Sequence, residues 1–592
     1  MDELHKLDEA QLAEELAKVK TVTDGSTEDE LVRGIESLHA EYQILKARLK
    51  ATRDSKEYGL VWIKDEEKHP TMRETVVEEL RTKSPVLSEL RDRAVAAGED
   101  DSSTHLLIEG DNLHSLITLS YTHAGKIDLI YIDPPYNTGS SDFIYDDDYI
   151  DREDPFRHSK WLSFMEKRLR LARQLLSDFG TIFISIDDNE QAHLRLLCDK
   201  IFGEENVETL IWKKIGDGDA GAGKMKAVNR FRIEHEYILA VYKQKDRVFF
   251  GKLSEIPNFK NSYNNPDNDP RGNYKSGNIS KTEDKSLPSG KNYYSVTSPS
   301  GRVFTRQWHF SVDEFNRLNE DNRIYWGKNG DSVPGIKIFI DEPREIVANS
   351  LLDGVGSATS ASKALRLLFG DDRNPFPNPK PVELIKTLIT LATKPDTATT
   401  VLDFFAGSGT TGQAVLELNK KDGGTRQFIL CSTNDEREPI VDNVTYPRIK
   451  AVITGVRPDG TRYSSGVKAN LRYFKIDLVE KSETLDTLRR DLSTKCVDLV
   501  RVKEGSYTTL VDKEMLKVFS GERLTAIILD PYETKPYIDE IDKLDTGEPI
   551  NLYAFSYGKY TDIDITKNRR HKYEMRPIPD GILEAYNKVR IK

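Results

Sequence analysis

Apolar positions in this chain come either as short, nearly unbroken runs or as stripes at helical spacing, and together they predict an α/β protein. Ile127-Asp128-Leu129-Ile130-Tyr131-Ile132, Ile238-Leu239-Ala240-Val241-Tyr242, Val401-Leu402 and Phe428-Ile429-Leu430-Cys431 read as buried strands. Leu113, Leu116 and Leu119 recur on one helix face, as do Val382, Leu384, Ile385, Leu388 and Ile389. At the amino-terminal end, Leu38, Tyr42, Leu45 and Leu49 keep helical spacing, and Ser26-Thr27-Glu28-Asp29 offers a cap between two helices. Near the other end, a helical stripe through Leu485, Leu488 and Leu492 precedes strand-like runs at Leu524 to Leu529 and Leu552 to Ser556, which predicts a small mixed domain.

Two turns following such strands carry candidate chemistry. After Ile132 comes Asp133-Pro134-Pro135-Tyr136-Asn137-Thr138-Gly139. Consecutive prolines neither continue a helix nor donate to a sheet ladder, so the chain leaves the strand in a fixed extended turn. Asp133 and the Pro134 carbonyl can there accept both hydrogens of an exocyclic amino group, and the Tyr136 ring can stack on a planar base. Asp530-Pro531-Tyr532 follows a similar run without the second proline and reads as an ordinary turn. After Leu402 comes Asp403-Phe404-Phe405-Ala406-Gly407-Ser408-Gly409-Thr410-Thr411-Gly412, a strand end, a glycine turn and a helix start. Its Gly-x-Gly-x-x-Gly spacing lets backbone approach a ligand at the positive end of a helix, but alone does not select the ligand.

The Asp-Pro-Pro-Tyr string resembles the signature of amino-methylating DNA methyltransferases, chiefly the adenine-N6 enzymes, and the Asp403 to Thr410 string resembles their S-adenosylmethionine loop. The resemblance implies that Asp133, Pro134, Pro135 and Tyr136 are catalytic and that Asp403, Phe404, Phe405, Gly407, Ser408, Gly409 and Thr410 hold the cofactor. Phe376-Pro377-Asn378-Pro379-Lys380-Pro381 is similar to the segment preceding that loop, which would bring Lys380 to the cofactor; it also reads as a proline-started helix. Asp111, in Gly110-Asp111-Asn112, would reach the cofactor adenine, and it is equally a good helix cap. The catalytic string comes about 270 residues before the cofactor loop, as in the beta-type enzymes, so a Rossmann-like sheet in circularly permuted motif order is expected, with an inserted target recognition domain. Tyr58-Gly59-Leu60-Val61-Trp62, Asn137-Thr138-Gly139, His235-Glu236-Tyr237 and Val444-Thr445-Tyr446-Pro447-Arg448-Ile449 narrow the likeness to modification subunits of type III restriction systems. Asn137 and Tyr237 would then meet the substrate base. Ser432 stands where many methyltransferases place a ribose-binding acid, which leaves Asp435 or Glu436 for that contact. The expected divisions are a helical extension over 1–57, a catalytic half over 58–210, a recognition domain over 211–345, a cofactor half over 346–475 and a C-terminal α/β domain over 476–592.

Composition adjusts this picture in three places. Net charge is −12, yet residues 211–310 hold 18 Lys and Arg against 10 Asp and Glu, with Trp212, Tyr263, Tyr274, Tyr293, Tyr294 and Trp308 among them. Basic groups there can neutralise phosphates, and the aromatics are expected to reach or stack on bases; a solvated insertion with a mild basic excess would look alike. Pro257 to Ser300 shows little periodicity and is expected to be a long base-reading loop. Gly218 to Met225 has phosphate-loop spacing, but Met225 replaces the magnesium-binding hydroxyl, which argues against nucleotide hydrolysis. Cys198, Cys431 and Cys496 are too dispersed for a disulfide framework or a clustered metal site, and no run is long and apolar enough to span a membrane, so a cytoplasmic protein without a metal centre is expected. The resemblance implies double-stranded DNA as substrate, a homodimer and a separate restriction subunit. Cytosine-N4 or RNA methylation, an orphan methyltransferase and a noncatalytic DNA-reading subunit remain open.

Overall fold

Six strands lie side by side and point the same way, in the order Asn470–Glu480, Thr104–Glu109, Gln427–Ser432, Thr400–Asp403, Ile127–Ile132 and Leu176–Ile186. This computed structural model describes residues 74–588 except 98–103, 140–143, 146–147, 151, 155, 216–230, 256–262, 343, 371–374, 396, 436–438, 482–483, 522, 531, 545–548 and 556–568. The chain divides into Met1–Trp62 and Ile63–Lys592, and all of the described residues belong to the second unit. The expected helices before residue 58 and the phosphate-loop-like stretch at 218–225 lie outside the described residues.

Antiparallel strands extend the parallel set on both sides, Lys83–Glu89 on one and His235–Tyr242 on the other, giving an eleven-stranded sheet. A parallel strand buried on both faces must be apolar almost throughout, which is why Ile127–Ile132 reads so plainly in the sequence. Each fully buried Ile or Leu there contributes about 1.5 to 3 kcal/mol, so this sheet fixes the positions of whatever emerges from its ends. Thr400–Asp403 and Ile127–Ile132 are direct neighbours, with Val401 opposite Leu129 and Leu402 opposite Ile130. The sheet thereby closes a gap of about 270 residues in sequence, and sets Asp133 and Asp403 at the carboxyl ends of adjacent strands, where open α/β sheets take their ligands.

The helix Asn112–Thr122 is buried along its whole length. Its outer side is covered by Val497–Glu504 and Asp580–Lys588 from the C-terminal part. That part has its own five-stranded mixed sheet, running Ser506–Asp512, Leu516–Gly521, Leu524–Ile528, Ile550–Phe555 and Tyr573–Ile578. Buried Arg501 ties it to the large sheet by donating to Glu89 at 2.6 Å and Asp498 at 2.7 Å, while Arg472 takes the other Glu89 oxygen at 2.9 Å.

Several expected boundaries fall inside strands. The break after 210 cuts Val207–Lys213, the one after 345 cuts Arg344–Ile346, and the one after 475 cuts Asn470–Glu480, which pairs with Lys83–Glu89 as far as Glu480. The expected long loop at 257–300 is corrected over its described part, 263–300, which contributes the strands Tyr274–Asn278 and Tyr293–Thr297 to small antiparallel sheets. Their exposed positions are polar and their spans short, so no periodicity stands out. Trp212, Tyr263, Tyr274 and Trp308, expected to meet bases, are buried instead. Trp308 packs with Ile279, Val296, Phe304, Phe315, Ile324 and Trp326 in a compact aromatic core. A small insertion has few aliphatic residues with which to build an interior, and its large rings fill that need first.

Candidate active site

The proline turn is pinned from behind. Trp161, fully buried on the helix Arg157–Leu175, donates its indole N–H to the Pro135 carbonyl at 2.7 Å. Asn137 follows at φ +57° with its side chain buried, and its amide donates to Glu190 and to the Arg157 carbonyl. Its amide nitrogen thus helps to shape the loop, while its buried oxygen has no hydrogen-bond partner among the described residues. Glu190 also receives His158 Nδ1 at 2.7 Å and lies 2.9 Å from His193 Nδ1, and burial pushes its carboxyl up to about 8. The ligand atoms of His158, Glu190 and His193 fall within 4.8 Å of one another, a spacing a metal ion could use. Arg157 Nε, however, donates to His158 Nε2 at 3.2 Å, which leaves the imidazole proton on Nδ1 and directs it to Glu190. His158 and Glu190 thus brace the turn through Asn137, while His193 Nδ1 and Glu190 Oε2 have no hydrogen-bond partner among the described residues.

In front of the turn, Asp133 and Tyr136 meet two residues from distant parts of the chain. Lys380 Nζ lies 2.9 Å from Asp133 Oδ1, 2.8 Å from the Tyr136 hydroxyl and 3.3 Å from Glu236 Oε2. The hydroxyl is itself 2.9 Å from Asp133 Oδ1 and 3.1 Å from Glu236 Oε2, and Lys214 Nζ is 3.3 Å from Glu236 Oε1. Burial lifts Asp133 above the usual carboxylate range in spite of the ammonium beside it. Burial works the same way on Glu236, but Lys380 and Lys214 outweigh it and hold that carboxyl below its ordinary value. The Lys380 ammonium is opposed by burial and stabilised more strongly by Asp133 and Glu236, so it stays charged. A cofactor contact is expected of Lys380 from the resemblance; the structure places its ammonium beside Asp133 and its carbonyl against the glycine loop, where it accepts from Thr410 Oγ1 at 3.3 Å.

One strand over, Asp403 is buried and accepts from Phe405 N at 3.0 Å and Thr411 Oγ1 at 2.6 Å, both neutral donors. Burial pushes its carboxyl up to about 7. Gly407 has φ +46°, and a Cβ built there would stand 3.0 Å from Phe376 Cζ, so a side chain would meet both strain and a ring. Gly409, at φ +77°, starts the helix Thr410–Asp422. Phe405 stays partly exposed, 6.0 Å from the Phe164 ring, whereas Phe404 turns into the core. Asp111 caps its helix by accepting from Leu113 N at 2.7 Å and His114 N at 3.3 Å, and its other oxygen lies 3.9 Å from Arg168. Tyr237 follows Glu236 in the strand His235–Tyr242 and is partly exposed, its hydroxyl donating to Asp188 at 3.0 Å. Ser432 is buried, and Glu436 lies outside the described residues.

Glu236 and Arg448 lie inside strings that match the family but carry no assigned role there, and Lys214 lies in none of them; all three are parts of this site. Arg448 is buried under the glycine loop and donates to the Ser408 carbonyl at 3.1 Å, to Ser408 Oγ and Thr410 Oγ1 at 2.9 Å, and to Gln413 at 2.8 Å. Burial alone brings its guanidinium down to about 10. Thr445 adds a 2.6 Å bond to the Gly407 carbonyl. Two of the three carry a signal in the chain. Glu236 is a carboxylate opening an apolar strand, and Arg448 is an arginine inside an apolar helix; charges so placed need buried partners.

The family described as DNA methylase matches residues 127–443, which takes in both strand ends and everything between them. The StyLTI type III modification subunit of Salmonella typhimurium is 36% identical over 459 residues, covering 72% of this chain and 68% of that one. The EcoP15I type III modification subunit of Escherichia coli is 32% identical over 56% of this chain, which spans only 58% of that subunit's length. The type II methyltransferase M.KpnI of Klebsiella pneumoniae is 31% identical over 64% of this chain and 92% of its own. With more than half of its residues inside the family match and 36% identity to a type III modification subunit, the chain belongs to the DNA methylase family, as a methyltransferase of the modification-subunit kind.

Proposed function

We propose that this chain transfers a methyl group from S-adenosylmethionine to the N6 amino group of an adenine in duplex DNA, and that it is the modifying and sequence-reading subunit of a type III restriction system. The observation that carries this reading is the adjacency of Asp133 with Tyr136 to Asp403 with its glycine turn, at the ends of neighbouring parallel strands. The residues fit the cofactor: Asp403 is a buried carboxylate facing only neutral donors, suited to an ammonium, and the Gly407 turn leaves backbone open where a Cβ would intrude. When bound, S-adenosylmethionine supplies a methyl group already activated on sulfonium.

The amino group of a paired adenine is inaccessible, so the base must leave the duplex and enter the pocket. Tyr136 then stacks against it, while Asp133 and the Pro134 carbonyl accept its two amino hydrogens and aim the nitrogen lone pair toward the neighbouring strand end. Tyr237 closes the outer side. The basic stretch within 211–310 meets phosphates, and its exposed polar residues, rather than its buried rings, read base edges. A separate nuclease subunit completes the system, as the names of the type III relatives suggest, and a homodimer is part of the same proposal. Likeness over 92% of a type II methyltransferase favours a second reading, in which the chain methylates with no nuclease attached.

Sequencing that detects modified bases, applied to DNA from cells expressing this chain alone beside an Asp133→Ala control, tests the proposal. N6-methyladenine on one strand of one short motif supports it, whereas N4-methylcytosine or unmodified DNA with methylated RNA overturns the adenine assignment.

A further inference from the structure

An ammonium offers three hydrogens, and Lys380 spends them on Asp133, Tyr136 and Glu236 inside a pocket where its side chain is only 9% exposed. Asp133 Oδ1 therefore already holds a nitrogen donor at 2.9 Å, the same kind of contact that an incoming exocyclic amine requires. The same Oδ1 also accepts from the Tyr136 hydroxyl, so an incoming amine reaches this oxygen only by displacing one of the two donors. The Tyr136 hydroxyl stands between two carboxylates, 2.9 Å from one and 3.1 Å from the other, with a single proton to give. Glu236 lies within reach of Lys380, and its second oxygen is already held by Lys214.

We propose that Lys380 is a placeholder for the substrate amine: it occupies the donor position on Asp133 until a flipped base arrives, then shifts to Glu236, with Tyr136 turning its hydroxyl to follow. This rests on amino-methyl transfer at the Asp133 pocket and deepens that reading. Two carboxylates and two ammonium groups make the pocket neutral, and a flipped adenine is neutral too, so the balance is kept only if Lys380 stays inside. Glu236 makes that possible. A lysine expelled to solvent would leave Asp133 and Glu236 facing each other with only Lys214 between them and bulk charge, a costly arrangement in a buried site. No proton or bond changes hands in the shift; the ammonium trades one carboxylate for another. Lys380 is accordingly a positioning residue, and Glu236 is its second seat.

The consequence for base entry has a sign that a merely structural role does not share. Lys380→Met removes the competitor for Asp133 and leaves two carboxylates with one ammonium, so at a pH high enough to keep Asp133 ionised the flipped fraction of the target base rises, about tenfold if one charge-assisted hydrogen bond is relieved. Glu236→Gln removes the second seat, so Lys380 holds Asp133 more firmly and the flipped fraction falls. With Lys380 absent, Glu236 has nothing to receive, and Glu236→Gln has no further effect on flipping in the Lys380→Met background.

Full-length protein is titrated onto duplexes carrying the methylated motif, with 2-aminopurine placed beside the target adenine so that its fluorescence reports unstacking while the target keeps its amino group. S-adenosylmethionine affinity, measured by calorimetry, is unchanged in all three variants if the sheet ends remain intact; Lys380→Gln repeats the test should the Met variant fail this control. Opposite signs for the two single variants, together with loss of the Glu236 effect in the double variant, support the placeholder. Equal signs, or an undiminished Glu236 effect without Lys380, overturn it. A wild-type protein that neither unstacks the probe nor makes N6-methyladenine refutes the underlying reading instead.

Discussion

Two neighbouring strands end in carboxylates whose surroundings are opposite in kind. Asp133 shares its pocket with the Lys380 ammonium, a tyrosine hydroxyl and a second carboxylate. Asp403 is more deeply buried and meets only a backbone amide and a threonine hydroxyl. The first site brings its own cation and is suited to a neutral donor that exchanges with it. The second is a buried acid lacking a countercharge among these contacts, and such a group gains most when a cationic ligand supplies one. One sheet thus prepares two ligands of different charge within a single strand spacing, by varying what stands around the same functional group.

The largest effect expected from breaking this contrast is at Asp133. Asp133→Ala removes the acceptor that orients the amine, and methyl transfer, followed with labelled cofactor, falls at least about a thousandfold. Cofactor affinity by calorimetry stays within about twofold. A parallel loss of cofactor binding would mean that the two strand ends do not act separately.

The next effect is at Asp403, and it depends on pH. Its folded carboxyl titrates at about 7 because burial disfavours the charge. The raised value means that this group supports the ligand-free fold below the unfolded carboxylate range of about 4 and withdraws that support as pH rises through about 7. Cation binding has the opposite sign, since it needs the ionised form. Affinity for S-adenosylmethionine is therefore expected to climb about tenfold per unit up to about pH 7 and then level off. Asp403→Asn weakens binding about a hundredfold at pH 8 and flattens the profile. A profile equally steep in the Asn variant would remove Asp403 from the ligand contact.

Both carboxylates are legible in the sequence because each follows a run that could only be a buried strand, and because a proline pair or a glycine turn marks where that run stops. Their adjacency comes from the likeness of the two strings to one family; hydrophobic spacing says nothing about which strands pair. Lys380 stands out within Asn378-Pro379-Lys380-Pro381, but nothing local reveals that its side chain crosses to Tyr136, 244 positions away. Glu236 sits inside the matched string His235-Glu236-Tyr237, yet nothing local reveals its role, because its partner Tyr136 is 100 positions distant. Within 211–310 the aromatic residues suggest base stacking, whereas Trp308 fills a core together with Phe304 and Phe315. Composition records that rings are present and leaves open whether they face a ligand or one another.

A smaller effect belongs to Arg448, which holds the cofactor loop from below; its hydrogen bonds run to Ser408, Thr410 and Gln413 rather than to the Asp133 pocket. Arg448→Met keeps an apolar stem but leaves the Ser408 carbonyl and the Gln413 amide oxygen without this donor, at a cost of about 1 to 3 kcal/mol. The expected result is about a tenfold loss of cofactor affinity with a lower thermal midpoint, and a turnover at saturating cofactor within about twofold of the parent. A large fall in saturated turnover would show that the glycine loop also sets the geometry at Asp133.

The smallest effect is expected on the opposite side, at Trp161. Its indole N–H is the donor to the Pro135 carbonyl at 2.7 Å, and its ring is fully buried. Trp161→Phe keeps most of that burial and removes the N–H, so the prolyl turn loses one hydrogen bond worth about 1 kcal/mol. The turn carries Asp133 and Tyr136 but is remote in sequence from the Gly407 loop, so the change should appear in turnover, lowered about threefold to fivefold, with cofactor affinity unmoved. Glu190 and Asn137 still brace the far end of the same turn, which is why the loss stays modest. If cofactor affinity fell together with turnover, the proline turn and the glycine turn would have to move as one body, and the separate tuning of the two carboxylates would be a property of their shared frame.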